Sequence, residues 1–204
     1  HELANLSDAE LLGRLASRLP FAMEPTQRAA WEYQVDHLRS LTQHLPAAHF
    51  FMEFLIPRMG RRADLIVVSE GIVFVVEYKL GARHFDRSSR DQVYGYGLDL
   101  KNFHETSHSS PIVPILVATH ADVSVQVPLE WEEDGLARPL QVNAEGLGPA
   151  IQLVCQSSRS KPIDPLHWEQ GRYRPTPTIV EAAQALYRGH AVQEISRSEA
   201  GASN

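Results

Sequence analysis

Asp64, Glu77 and Lys79 break into two otherwise apolar runs, where two carboxylates and an ammonium could bring a divalent cation to a phosphodiester. From Ala63 to Ser69, Asp64, Ile66 and Val68 alternate with Leu65, Val67 and Ser69. From Ile72 to Lys79, Val73, Val75, Glu77 and Lys79 alternate with Ile72, Phe74, Val76 and Tyr78. This period of two predicts two β-strands joined at Glu70-Gly71. A two-residue turn there pairs Ser69 with Ile72 and sets Asp64 directly opposite Glu77, with Cβ atoms roughly 4.5–5.5 Å apart. Two acids so placed repel and are costly to desolvate, which calls for a positive partner; a hard divalent cation with oxygen ligands fits best. Lys79 falls on the same face, where its ammonium can hold a water or hydroxide against a phosphate. A bulge at Ser69-Glu70-Gly71 would slip the register by one residue and separate the acids.

These residues need elements to position them. Both faces of the two strands are apolar, so the hairpin is expected near the centre of a sheet, with its charges at strand ends. Ser88-Ser89-Arg90-Asp91 has capping-box spacing and Ser110-Pro111 bounds the far side, predicting a helix over Ser89–Phe103. Gln92 and Tyr96, four residues apart, share a face near its N-terminus, where free N–H groups favour an anion such as phosphate. The chain carries a formal charge of −6. Between residues 58 and 90, however, seven basic residues (Arg58, Arg61, Arg62, Lys79, Arg83, Arg87, Arg90) face four acidic ones (Asp64, Glu70, Glu77, Asp86), a surplus of three. A basic segment around an acidic site suits a polyanionic substrate.

In strand–strand–helix order, Asp64, Glu77-Tyr78-Lys79 and Gln92-x-x-x-Tyr96 resemble the PD-(D/E)xK, or restriction-endonuclease-like, nuclease superfamily, and within it the RecB-like group marked by Gln-x-x-x-Tyr. Ala63 stands where the family's name pattern has proline. The resemblance covers about residues 27–120. It implies an α/β fold with an αβββαβ core, a central mixed sheet flanked by helices. It also implies Mg²⁺ (or Mn²⁺) bound by Asp64 and Glu77, with the Tyr78 carbonyl as a further ligand and Glu32, in Trp31-Glu32-Tyr33-Gln34, as an accessory acid. Lys79 would position the attacking water, and Gln92, Tyr96 and Arg62 would contact the substrate, DNA rather than RNA and single-stranded by preference. Residues 1–174 are read as the nuclease-like domain. Residues 175–204, with a capped helix through Ile179–Tyr187 and the stretch Arg188 to Ser198, are similar to the segment preceding the ATPase in bacterial nuclease–helicase fusions. A start at His1 and a small polar end over Glu199–Asn204 add the expectation of a piece cut from a larger protein.

The expected order of elements is helix Asp8–Arg18, helix Thr26–His44, strand Phe50–Ile56, the hairpin, helix Ser89–Phe103, strand Ile112–Thr119, a Pro/Gly-interrupted region with a helix starting near Glu145–Ala150, and the terminal helix. No run approaches the ~20 apolar residues of a membrane span. A single cysteine, Cys155, excludes an internal disulfide and reads as a small buried residue in a reducing cytoplasm. Glu130-Trp131-Glu132-Glu133-Asp134 reads as a solvated acidic loop. Two alternatives to a nuclease stand beside it. One is a catalytically silent nucleic-acid-binding module of the same fold. The other is a zinc metalloprotease through His104-Glu105-x-x-His108, a motif that needs a continuing helix where Ser109-Ser110-Pro111 follows at once.

Overall fold

The computed structural model describes residues 10, 13, 25–56, 60–122, 129–158 and 160–187. The expected helix over Asp8–Arg18 lies almost wholly outside them, as do Arg58 and residues 188–204. The described chain runs α1 (Pro25–His44), β1 (His49–Leu55), β2 (Arg62–Ser69), β3 (Ile72–Lys79), α2 (Arg87–Phe103), a 3₁₀ turn (Glu105–Ser107), β4 (Ile112–Ala118), β5 (Leu140–Val142), α3 (Ala144–Ser157), α4 (Pro165–Glu169) and α5 (Pro177–Tyr187). The class is α/β: one five-stranded mixed sheet in the order β1-β2-β3-β4-β5, with helices on both faces.

β1–β2 and β2–β3 pair antiparallel, while β3–β4 and β4–β5 pair parallel. β3 is therefore central, and every residue from Ile72 to Tyr78 is buried. The alternation sorts its side chains cleanly. Leu65, Val67, Phe74 and Val76 pack with Leu38 and Leu41 of α1, with Leu45 just after it, and with Leu147, Ile151 and Val154 of α3. On the other face Ile66, Val68, Val73 and Val75 pack with Val93, Tyr96 and Leu100 of α2 and with Trp168 of α4. Each such side chain taken fully from water contributes about 1.5–3 kcal/mol, so this apolar belt can carry the several kcal/mol that burying a charged group at its end costs. No described helix is long and apolar enough to cross a membrane.

The hairpin register follows from its turn. Glu70 (φ 50°) and Gly71 (φ 78°) both adopt left-handed backbone, as a two-residue type I′ turn demands, and Ser69 pairs with Ile72. No bulge intervenes, and pairing runs in register to Leu65↔Val76. A β-carbon at Gly71 would collide with the Lys161 carbonyl as well as strain the turn. Gly71→Ala should therefore destabilise the chain by about 1–3 kcal/mol, measured as a lowered urea midpoint with unchanged m-value; a midpoint equal to wild type would remove the turn from its place in setting the register.

Candidate active site

Continuing the register one step beyond Leu65↔Val76 brings Asp64 across from Glu77. There the two strands part. β2 stays with β1 through Leu55↔Arg62, while β3 stays with β4 through Lys79↔Ala118. The Tyr78 N–H, which would otherwise seek a carbonyl on β2, donates instead to Asp64 Oδ2 at 2.7 Å. Because a strand residue directs its N–H and C=O to the same side, the Tyr78 carbonyl also looks into this fork. The Tyr78 ring lies on the opposite face, where its hydroxyl meets His37 Nδ1 at 2.9 Å and anchors the strand end to α1. Burial holds the Tyr78 phenol well above its ordinary range and pulls the His37 imidazole below its own.

α2 closes the fork from the second face. Its cap is Asp86, whose Oδ1 accepts from Ser89 N (2.8 Å) and from Ser88 Oγ (2.6 Å), while Oδ2 accepts from Ser89 Oγ (2.6 Å). The helix consequently begins at Arg87, two residues before the start predicted from Ser88-Ser89-Arg90-Asp91, because aspartate satisfies the first free N–H groups while both serines bind back to it. From its first two turns Gln92 reaches the strands. Gln92 Nε2 lies 2.8 Å from Glu77 Oε1 and 2.7 Å from Tyr96 Oη, and Gln92 Oε1 accepts from Lys79 Nζ at 3.1 Å. Lys79 Nζ also pairs with Glu77 Oε1 at 3.0 Å. Glu77, Lys79, Gln92 and Tyr96 thus form one hydrogen-bonded group at the end of the apolar belt, with Asp64 across from Glu77 on β2.

Its electrostatics are unbalanced. Glu77 is 6% exposed, and its second oxygen, Oε2, is buried with no hydrogen-bond partner among the described residues. Burial raises the Glu77 carboxyl, opposed by the Lys79 charge and the Lys79 and Gln92 hydrogen bonds. Burial and then the neighbouring Glu77 push Asp64 up to about 7. Burial also raises the Tyr96 phenol, which keeps its hydroxyl a donor.

Two further predicted residues sit differently. Glu32 is exposed and its carboxylate is turned to Arg28 Nε at 2.9 Å, so α1 does not bring it into the group. Arg62 is half-buried on β2 opposite Leu55, at the outer end of the fork. The acid that does act on both Asp64 and Glu77 is Glu53 of β1. Sequence reading passed it over because Phe50-Phe51-Met52-Glu53-Phe54 looks like an ordinary strand. The available signal was position: Glu53 is a lone charge inside an aromatic run on the strand preceding the acidic hairpin.

The histidine motif is not presented on a helix. His104 ends α2 with extended backbone (φ −100°, ψ 109°), and Glu105 begins a 3₁₀ turn and pairs with Arg174. The His104 ring is buried against Trp168 at 4.9 Å and Phe54 at 5.8 Å, and burial lowers its pKa to about 4. Cys155 is half-buried and Glu132 binds Arg138 at 3.1 Å, so neither the cysteine nor the acidic loop joins the site. Comparison with protein-family models, with curated proteins and with solved structures returns no match, so the geometry carries the functional reading.

The Asp64 shift has a definite sign in stability. Unfolded aspartate releases its proton near pH ~4, whereas folded Asp64 keeps it to about 7. The folded chain then binds more protons across that window, so its stability is greatest below it and falls as pH rises toward 7. In chelator, urea unfolding between pH 4 and 8 should show this decline in wild type relative to Asp64→Asn; parallel curves for the two proteins would refute it.

Proposed function

We propose that this chain is a metal-dependent nuclease of the PD-(D/E)xK type, RecB-like in its Gln-x-x-x-Tyr helix, with a restriction-endonuclease-like core. The observation that carries the reading is the fork itself. Two carboxylates, a lysine, a glutamine and a tyrosine from three elements converge there, and one carboxylate oxygen is buried without a partner.

That oxygen is the test of fit for a cation. A buried Glu77 Oε2 with nothing to bind is costly unless something positive takes its place, and Asp64 and the Tyr78 carbonyl face the same fork. Among the described residues no three His, Cys, Asp or Glu side chains form a metal-holding cluster. Two carboxylates and a carbonyl suit a hard ion such as Mg²⁺, which takes few protein ligands and completes its shell with water and substrate phosphate. Such a cation supplies Lewis acidity and charge neutralisation at a phosphoryl group.

The protein's own groups perform the rest. The Lys79 ammonium, held by Glu77 and Gln92, has a third N–H with which to orient the attacking water and offset charge building on the phosphate oxygens. Water adds to phosphorus as the bond to the leaving sugar oxygen breaks; the attacking water gives up a proton to solvent, and the sugar oxygen takes one from solvent water to leave as the alcohol. Gln92 fixes the lysine and glutamate rather than reading a base, so the chemistry is indifferent to sequence. Tyr96, a neutral phenol, can donate its hydroxyl proton to a phosphate oxygen. A cleft of about 450 Å³ between the N-terminal half of α2 and Arg138–Gln141 is lined by three arginines (Arg87, Arg90, Arg138) and two acids (Asp91, Glu130) and shares no residue with the fork, so the case for a polyanionic substrate rests on the fork itself. We take that substrate to be DNA, single-stranded by preference, delivered in the whole protein by a helicase region.

Glu77→Gln and Lys79→Ala should fold normally yet lose about 10²–10³-fold in cleavage of labelled oligonucleotides, with activity requiring Mg²⁺ or Mn²⁺. Normal cutting by either variant, or undiminished cutting in excess EDTA, would defeat the assignment; binding without cleavage in wild type would favour the silent module. On single strands three or four phosphate contacts give a slope of log K against log salt of roughly −2 to −3. Tight, salt-insensitive binding to one sequence would instead indicate a site-specific protein.

A further inference from the structure

Glu53 is one of two non-glycine residues with left-handed backbone among those described, and the other, Glu70, belongs to the hairpin turn. At φ 52° in the middle of a strand, it occupies a conformation that a residue with a β-carbon avoids unless the surroundings enforce it. Those surroundings are explicit. Phe51 and Phe54, three residues apart, both reach the Trp168 ring, at 5.8 and 5.1 Å, which strict strand alternation forbids and the left-handed residue between them permits. The Trp31 indole, itself 1% exposed, donates to Glu53 Oε1 at 2.7 Å. Glu53 falls between the pairs Met52↔Leu65 and Phe54↔Ala63, hence across from Asp64.

The outcome is a third acid held toward two others. Among the described residues Lys79 is the cation hydrogen-bonded to this group, through Glu77 and Gln92, while Glu53 lies across from Asp64 with its carboxylate on Trp31. A strained backbone and a buried indole hold this third carboxylate beside Asp64, and a divalent cation at the fork would offset the negative charge gathered there. The unpartnered Glu77 Oε2 points independently to the same missing group.

We propose that Glu53, and not Glu32, is an outer acid of the cation site, beyond the ligands themselves, that sets divalent affinity through its charge and is positioned by Trp31 and by the left-handed turn in β1. This rests on the reading of the fork as a cation centre. Outer partners of metal sites change affinity about 10–100-fold when altered, which sets the size of the expected effect.

The test uses the whole 204-residue chain with CaCl₂ and MnCl₂ alone, followed by calorimetry and by Mn²⁺ electron paramagnetic resonance, with melting curves in EDTA. Glu53→Gln keeps an acceptor for the Trp31 indole and removes the charge. It should melt in EDTA at or above the wild-type temperature while binding Ca²⁺ and Mn²⁺ about 10-fold or more weakly. Glu53→Asp should keep affinity nearer wild type, and Glu32→Gln should leave it unchanged. A merely structural Glu53 would give the reverse: a lower melting temperature with unaltered affinity. If Glu53→Gln does not fold, Trp31→Phe, which frees the carboxylate but keeps its charge, should lower affinity less than Asp64→Asn does; wild-type affinity in Trp31→Phe would then overturn the proposal. Wild-type affinity in Glu53→Gln, with binding lost in Asp64→Asn, overturns it while sparing the cation reading. Binding unaffected by Asp64→Asn ends both.

Discussion

The parting of β2 from β3 at Asp64 is the constraint on which the polar centre depends. Up to Leu65↔Val76 the strands satisfy one another through backbone hydrogen bonds; one residue further, the Asp64 carboxylate takes the Tyr78 N–H in place of a carbonyl. A side chain is longer than a backbone group, so the substitution spreads the strands without leaving a buried donor unsatisfied. Glu77, Lys79 and the Tyr78 carbonyl can then face an opening rather than a neighbouring strand. Had β2 and β3 stayed zipped, the same residues would form a closed ladder with two carboxylates pressed together and no room for a third party.

What holds the opening in place is the apolar sheet behind it. β3 and β4 are buried along almost their whole length, and helices on both faces clamp them. The charges lie at the strand end, where the Lys79 side chain is partly exposed and can still reach the buried Glu77. Gln92 is the joint between strand and helix: its amide donates to Glu77 and accepts from Lys79 at once. That double role fixes the side-chain amide orientation, since reversing it would set two donors or two acceptors against each other. The cap at Asp86 matters for the same reason, because it determines where α2 begins and hence how high Gln92 and Tyr96 stand over the fork.

Strain and repulsion collect at this end of the sheet. Left-handed backbone at Glu53, a raised Asp64 and an unpartnered Glu77 oxygen each cost stability, and the fold tolerates them because its core lies elsewhere. In the proposed nuclease the same features serve binding: charges left uncompensated by the protein are available to a cation and a phosphate.

The sequence by itself determined the hairpin and much of the polar group. Alternation over 63–79, a Glu-Gly turn and spacing of four between Gln92 and Tyr96 are local patterns, and local backbone geometry converts them directly into register and facing. The elements Thr26–His44, Phe50–Ile56 and Ile112–Thr119 were legible within one residue for the same reason. Between 121 and 174 only the start of α3 near Glu145 was legible; the three-residue β5 and five-residue α4 are too short to show a period and exist by pairing with β4 and by burying Trp168. Tertiary structure alone decided where the other acids stand relative to Asp64 and Glu77. Glu32 had the right neighbourhood in the chain, but its side chain leaves α1 toward solvent and Arg28. Glu53 offered only its place as a lone charge in an aromatic run; a left-handed residue in β1, the Trp31 indole and the ring of Trp168, distant in sequence, together bring it opposite Asp64.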